Sequence, residues 1–489
     1  MTDVANPAGP LAARVAGQGV LLFSGLAAGQ ALSFLRNALI GYGLSKGDFG
    51  IAAGITLTLQ MVEMLTDLGA DRLIVQADDG AEPRVIGTSH TFLILRALLT
   101  GIALYLAAGP VAHFLSAPDA AWAFQAIAIV PVIKGFLHLD YRLFQRRLDN
   151  RPQLVVEVLP QAAALAATPV ALALTGSYAA VIWLSILQAV AAVLASHALA
   201  RTPYHLATDG SVGRRILAFG WPILASALPL LAVYHADRAL IAHLFGIEAL
   251  AVYSAAFLAT MVPGLIAAKT GHALMLPLLA QARGDGRAFA QRFKLLSEAT
   301  ALFAGLYLAT FIVAGGLLVR VAFGPNYEGL GAITGWLASM WAVRMLQAVP
   351  GMALMAHGDT RPFLIAGLIR ACALLPAAGA ALHGYGIAGV AAAGSLGEIA
   401  SLVYVAVRLE KLDGGLGVGI LMRALMLVPV ALAAIAVSVT IAGQDLLATL
   451  AATSTVLMAV AIGCFAAAPG LRAQIRARVW RSLIARPAA

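Results

Sequence analysis

Charge is what this chain has least of. Only 11% of its 489 residues are Asp, Glu, Lys or Arg, against 61% hydrophobic. A soluble globular surface takes about a quarter charged residues, so a water-facing fold is excluded. Cysteine is nearly absent. Cys372 and Cys464 both sit in apolar segments, which excludes a disulfide framework and leaves no thiolate metal site. The histidines show no H-E-x-x-H or related spacing and read as isolated interfacial or packed residues. A basic soluble domain is missing too, so the net charge of +9 does not point to nucleic acid as a partner. The run GYGIAG from Gly384 matches G-x-G-x-x-G, but it has neither a preceding strand nor an acid about 20 residues on. Close helix packing accounts better for it, as for Gly25 and Gly29. No cofactor is expected.

What the chain does have is apolar runs of spanning length, which need about 20 residues each. Fourteen are read: 14–44, 49–76, 85–109, 119–141, 153–175, 177–200, 215–244, 248–276, 293–322, 329–356, 361–383, 386–408, 418–442 and 446–468. The fold class is therefore an all-α polytopic membrane protein, and mean hydropathy is +0.89. The first run has no small-residue cleavage site after a short apolar core, so it is expected to stay as an anchor. Segments 1–6 make an N-lobe over 1–200, 201–212 a linker, and segments 7–12 a C-lobe over 213–410. Segments 13 and 14 fill 411–468, and 469–489 is a basic tail.

Loops after even-numbered segments carry most of the arginines, among them Arg84, Arg142, Arg146, Arg214, Arg283 and Arg408; loops after odd-numbered ones carry little beyond Lys46 and Arg320. The positive-inside rule then puts both termini in the cytoplasm. The tail spaces Leu471, Ile475, Val479 and Leu483 four apart, with Arg472, Arg476, Arg478 and Arg481 on other faces. This is the pattern of an amphipathic helix on an anionic inner leaflet, although a basic tail that merely enforces topology fits as well. Every outward loop is short, such as LTGSY, FGIE and AGQD, which weighs against a membrane-embedded glycan polymerase or transferase.

A weak internal repeat joins the lobes. Arg14 and Arg215 each open a segment, and 22 positions later stand Arg36 and Asp237, each followed by a Leu-Ile pair, at a constant offset of 201. Six segments per copy bring the second copy into the membrane in the same direction, so the lobes are expected to be related by an axis along the membrane normal. Asp237 lies about 33 Å beyond Arg215 along a straight helix, near the outer surface. Arg36 and Asp237 are thus candidates for an outward gate, while Arg36 and Arg238 snorkelling to lipid phosphates is the competing reading. Pro222 and Pro229 predict a kink in this segment.

The stretch from Phe34 to Gln76, with Asp48-Phe49-Gly50 and Asp67-Leu68-Gly69, resembles the opening of bacterial polysaccharide exporters, the Wzx-type flippases of the multidrug/oligosaccharidyl-lipid/polysaccharide (MOP) superfamily. Asp237-Arg238, a short glycine loop, then Tyr253, Ala256 and Ala259 are similar to the same family's seventh and eighth segments. The run RLFQRRLDNRPQ resembles its basic inner loop after segment four. The resemblance implies a two-lobed bundle that moves a lipid-linked oligosaccharide, usually on undecaprenyl diphosphate, to the periplasmic face of the bacterial inner membrane. It also implies the polysaccharide polymerase and export machinery as partners. A lipid II flippase and a cation-coupled multidrug antiporter of the same superfamily are the alternatives.

Counted by depth, Glu63, Arg96, Lys134, Arg344, Arg370 and Glu398 fall near mid-membrane, four cations against two acids. Unpaired charge there costs at least about 2.5–3.5 kcal/mol per residue, so these side chains are expected to face a wet cavity or one another. Guanidinium groups bind phosphate in bidentate fashion, so Arg96, Lys134, Arg344 and Arg370 are the candidate substrate ligands, with Arg36 and Arg238 at the outer end. Glu63, Asp67, Asp237 and Glu398 are the candidates for gating or for coupling to a proton or sodium gradient. Glu63 and Asp67, four apart on one helix face, would repel each other. Structural pairing competes at each: Glu63 with Arg96, Asp67 with Arg72, Glu398 with Arg344 or Arg370. Prolines 131, 160, 263, 350 and 376 are expected to break helices and permit rocking.

Overall fold

The computed structural model describes residues 9–147, 149–441, 446–474 and 476, and among them every regular element is helical. Its contacts divide the chain into two compact units. The first, Met1–Ala251, holds α1 (Gly9–Gly43), α2 (Lys46–Thr66), α3 (Ala70–Gln76), α4 (Pro83–Phe114), α5 (Ala121–Ala126), α6 (Ile129–Lys134), α7 (Asp140–Leu143), α8 (Arg151–Thr175), α9 (Ala179–Ala198), α10 (Gly210–Tyr234), α11 (Ala236–Phe245) and the start of α12 (Ile247–Ala280). The second, Val252–Ala489, holds the rest of α12, α13 (Gly286–Phe323), α14 (Gly331–Ala356), α15 (Arg361–Cys372), α16 (Leu374–Leu382), α17 (Gly386–Leu412), α18 (Leu416–Leu425), α19 (Leu427–Thr440) and α20 (Leu446–Ala466).

Eleven of these helices, with α15–α16 and α18–α19 each counted as one, are long and apolar enough to cross a membrane among the described residues. The three other expected spans fall on α1, on the run α5–α7 and on α14. The protein is an all-α multi-pass membrane protein. The tail enters a last helical stretch at 469–474, and the amphipathic face expected from Ile475, Val479 and Leu483 lies outside the described residues.

Five expected helices are interrupted: 49–76, 119–141, 215–244, 361–383 and 418–442. The run 119–141 is not one helix, because the backbone N–H groups of His138 and Leu139 donate to Ser196 Oγ (3.0 Å) and His90 Nε2 (3.1 Å) instead of to helix carbonyls. Segment two stops at Thr66 and restarts at Ala70. Segment seven breaks at His235, after two internal prolines, and Asp237 opens α11 by accepting the Arg238 N–H at 2.7 Å. The proline expectation needs correcting. Pro160, Pro263 and Pro350 lie inside continuous helices. Interruptions at Ala128, Ala373 and Met426 instead fall three residues before Pro131, Pro376 and Pro429. A proline ring removes a donor and crowds the preceding turn at that point.

The units divide at Ala251, beyond the linker 201–212. In this structure α10 and α11, expected to open the second lobe, pack on α2, α3 and α4. Inside unit 1 a core of Ile55, Leu104, Phe124, Ile127, Ile182 and Leu250 excludes water. Gly25 of α1 lies against Leu154 of α8, as the close-packing reading expects. Gly50 is tighter still: a Cβ there would overlap the Ile247 carbonyl oxygen, so Asp48-Phe49-Gly50 is a packing device. Asp48 adds to it by accepting hydrogen bonds from Ser45 Oγ (2.6 Å) and the Tyr178 N–H (3.3 Å). Gly50→Ala is expected to lose about 1–3 kcal/mol, read as a lower unfolding temperature of the purified protein in detergent; an unchanged midpoint would contradict this packing.

In unit 2, α14 is walled in by α13 and α17, and every residue from Met340 to Leu354 is buried. A polar side chain on this stretch has no water to turn to, which sets the chemistry of Arg344 and Gln347.

Candidate functional site

The charged residues of unit 1 gather where segment two is unwound. Asp67 sits in extended backbone after α2, and its Oδ1 accepts the Gly69 N–H at 2.9 Å while Gly69 takes a left-handed φ of 63°. This turn frees the Thr66 carbonyl from the helix ladder, and Arg96 Nη1 on α4 donates to it at 3.2 Å. The same nitrogen lies 3.7 Å from Asp67 Oδ1, and Arg72 Nη2 donates to Asp67 Oδ2 at 2.9 Å. One turn earlier, Lys134 Nζ at the end of α6 donates to Glu63 Oε1 at 2.7 Å. Glu63 therefore pairs with Lys134 and not with Arg96. Glu63 and Asp67 also do not share a helix face, since the helix ends between them. Asp67 pairs with Arg72 as read from the sequence. Glu63 and Lys134 stay 35% and 36% exposed.

Unit 2 holds the opposite arrangement. Arg344 donates through Nε to Glu398 Oε1 at 2.9 Å and through Nη2 to the same oxygen. Arg370 Nη1 stands 3.8 Å from Glu398 Oε2, so one carboxylate on α17 is shared by guanidinium groups from α14 and α15. Side-chain exposure is 9% for Arg344 and 2% for Glu398. The Arg344 guanidinium also lies over the Trp341 ring, 4.6 Å from its centroid. One turn on, Gln347 Nε2 donates to Ser401 Oγ at 2.7 Å, and Ser401 Oγ donates to the Ala366 carbonyl at 3.2 Å. The pairing reading of Glu398 describes this geometry.

At the break between α10 and α11, Arg238 Nη2 donates to the Tyr234 carbonyl at 2.7 Å and lies 2.8 Å from His235 Nδ1. Arg36 donates to Gln188 Oε1 of α9 at 2.9 Å, so the structure brings it to α9 and not to Asp237.

Sequence reading missed how the basic end of unit 1 is tied together. Four histidines once read as isolated cluster there with Tyr204: His90 and Tyr204 rings are 4.3 Å apart, His90 and His138 5.1 Å, His138 and His197 5.3 Å. They clamp the linker that follows α9. His90 Nδ1 donates to the His205 carbonyl (3.1 Å) and His138 Nε2 to the Thr202 carbonyl (3.0 Å). Asp140 accepts the N–H groups of Arg201 and Thr202 at 2.7 and 2.9 Å. Arg146 donates to the carbonyls that close α3, those of Ile74, Val75 and Ala77, and to Asp78. Arg215 meets Asp79 through both terminal nitrogens, at 2.6 and 2.8 Å. The usable signal was the spacing of single histidines at the same ends of successive segments.

These contacts give the linker a pH dependence. Arg215 beside Asp79 holds that carboxyl at about 2, so its contribution is lost only as pH falls through that value. His205 donates to the Pro83 carbonyl at 2.7 Å and to the Pro203 carbonyl at 3.1 Å, which requires the protonated ring and pushes its pKa up. Its contribution is complete below the ordinary imidazole value of about 6.5 and is lost as pH rises through the raised one. Hydrogen-exchange protection factors over 201–209 are expected to fall as pH rises above the ordinary imidazole value of about 6.5; a rise with pH would contradict the clamp.

Residues 44–331, more than half of the chain, match the family model described as "Polysaccharide biosynthesis protein". The chain belongs to that family. The motifs Asp48-Phe49-Gly50 and Asp67-Leu68-Gly69, which carry the resemblance read from the sequence, fall inside the matched region. Among curated proteins none matches the sequence. Solved structures do match this polysaccharide-family chain in fold. The lipid II flippase MurJ in an inward closed conformation superposes with a TM-score of 0.65 at 14% identity, covering 90% of this chain and 98% of that one. An inward-facing multidrug resistance MATE transporter of the MOP superfamily superposes with a TM-score of 0.63 at 14% identity, covering 82% and 95%. A MATE transporter in complex with MaD5 gives 0.54 at 16% identity, covering 84% and 95%. The fold of this family member is thus one used by transporters and flippases.

Proposed function

We propose that this protein flips a lipid-linked oligosaccharide, carried on undecaprenyl diphosphate, from the cytoplasmic to the periplasmic face of the bacterial inner membrane. The product feeds surface polysaccharide assembly, with the polymerase and export machinery downstream, and both termini lie in the cytoplasm. The observation that carries this reading is the charge surplus in unit 1, where Arg72, Arg96 and Lys134 face Glu63 and Asp67. Sites with more cation than carboxylate suit a diphosphate and suit a cationic drug badly.

The half-open Glu63–Lys134 pair supports a coupling role for Glu63. A diphosphate that draws Lys134 away leaves this carboxylate without its cation, and the return of Lys134 restores the pair. The six-plus-six lobes belong to the same alternating-access reading, in which Arg36 would leave Gln188 to meet Asp237 as an outward gate in another state of the cycle.

A lipid II flippase is the second reading, favoured by the near-complete coverage of MurJ. Complementation separates the two. Rescue of a strain lacking its oligosaccharide flippase, without rescue of a lipid II flippase depletion, supports the proposal; the reverse pattern refutes it. Drug resistance gained in a pump-deficient host would support an antiporter. Product formation by the purified protein without a lipid leaflet would support a membrane enzyme.

A further inference from the structure

The start of α13 and the start of α18 enclose a groove of about 550 Å³ that the transport reading does not use. Arg287, Gln291 and Lys294 stand at i, i+4 and i+7 on α13 and make one wall. Gly415, Gly419 and Arg423, spaced four apart, make the other, and the two glycines leave the room. Among the described residues neither Arg287 nor Lys294 has a carboxylate within 4 Å. Arg423 is fixed, donating through Nη1 to the Gly419 carbonyl at 2.8 Å with Nη2 3.7 Å from Glu298 Oε1.

The two nearby carboxylates are already engaged. Glu298 Oε2 accepts the Leu471 N–H at 2.8 Å, which ties the groove to the start of the basic tail. Glu410 accepts the N–H groups of Gly415 (2.6 Å) and Val418 (3.0 Å) at the N-terminus of α18, where helix donors offset its charge. Beyond the cations, α18 exposes Val418, Met422 and Leu425, an apolar surface beside a charged recess. The occupant that matches is an amphiphile with an anionic head and apolar chains.

We infer that this groove binds the phosphate headgroup of an anionic glycerophospholipid from the leaflet at the basic end of the segments, the cytoplasmic leaflet in the orientation proposed above. A lipid seated there would bridge α13, α18 and the tail through their shared contacts with Arg423 and Glu298. The full-length protein, purified in detergent without its transport substrate, is titrated with phosphatidylglycerol, phosphatidylcholine and inorganic phosphate. Bound lipid is counted by native mass spectrometry, and the unfolding temperature is followed in parallel.

Wild type is expected to retain phosphatidylglycerol at least about tenfold more strongly than phosphatidylcholine and to be stabilised by it, and the Arg287→Gln/Lys294→Gln variant to lose both effects. That variant leaves Arg423 and Glu298 in place, so its lipid-free unfolding temperature is expected to equal that of wild type. Equal retention of phosphatidylglycerol by the variant overturns the inference. So does stabilisation by inorganic phosphate alone, which would mean a site for free anions, or equal retention of phosphatidylcholine. Because no flipping is measured, failure here leaves the transport reading intact, and failure of that reading leaves a lost lipid readable.

Discussion

Glu398→Ala is expected to destabilise the protein by about 3–5 kcal/mol, the largest stability effect of any single substitution considered for this chain. Without this carboxylate two guanidinium groups face each other, and Arg344 cannot move out to solvent because α14 is packed on both sides. The measurement is thermal unfolding in detergent, with expression level as a second reading. Arg370→Ala is expected to cost less, since Arg344 keeps its two hydrogen bonds to Glu398. An unfolding midpoint unchanged by Glu398→Ala would mean that the triad is wet and replaceable.

The unit 1 group is expected to behave in the opposite way. Lys134→Ala removes an ion pair whose partners are about a third exposed, and such pairs contribute only about 0.2–1 kcal/mol. Stability should barely move. Transport should fall about tenfold or more, and further in Arg96→Ala/Lys134→Ala, because both cations that can leave their acids for a diphosphate are then gone. The assay is flipping of a lipid-linked oligosaccharide in proteoliposomes, with unfolding temperature as the control. Loss of activity in step with loss of stability would make this group structural. Full activity in the double variant would remove the cationic site from the mechanism. Together the two sets of variants distinguish a charge group that holds the fold from one that meets the ligand.

The positions of the helices were legible in the sequence because a spanning segment needs about 20 apolar residues, and that signal is additive along the chain. Interruptions were legible only in part. Asp67-Leu68-Gly69 was recognised as a motif, yet its function as a break depends on one side-chain hydrogen bond and one left-handed residue, neither of which leaves a periodic trace. Prolines were visible but ambiguous: Pro160, Pro263 and Pro350 sit in unbroken helices, whereas Pro131 and Pro376 follow interruptions.

Individual charges near mid-membrane could be picked out by depth, because charge is so rare here. Their partners could not, since pairing depends on which segments touch. Depth alone matched Glu63 to Arg96, and packing gives it Lys134. The histidine clamp escaped for the same reason: four residues from distant segments meet only after the linker folds back on α4 and α7.

The most direct test of the central claim is to delete the gene, together with any second flippase, and follow surface polysaccharide and lipid-linked repeat units. Loss of the polysaccharide with repeat units accumulating on the cytoplasmic face is the predicted result. Unchanged polysaccharide with no accumulation would contradict it.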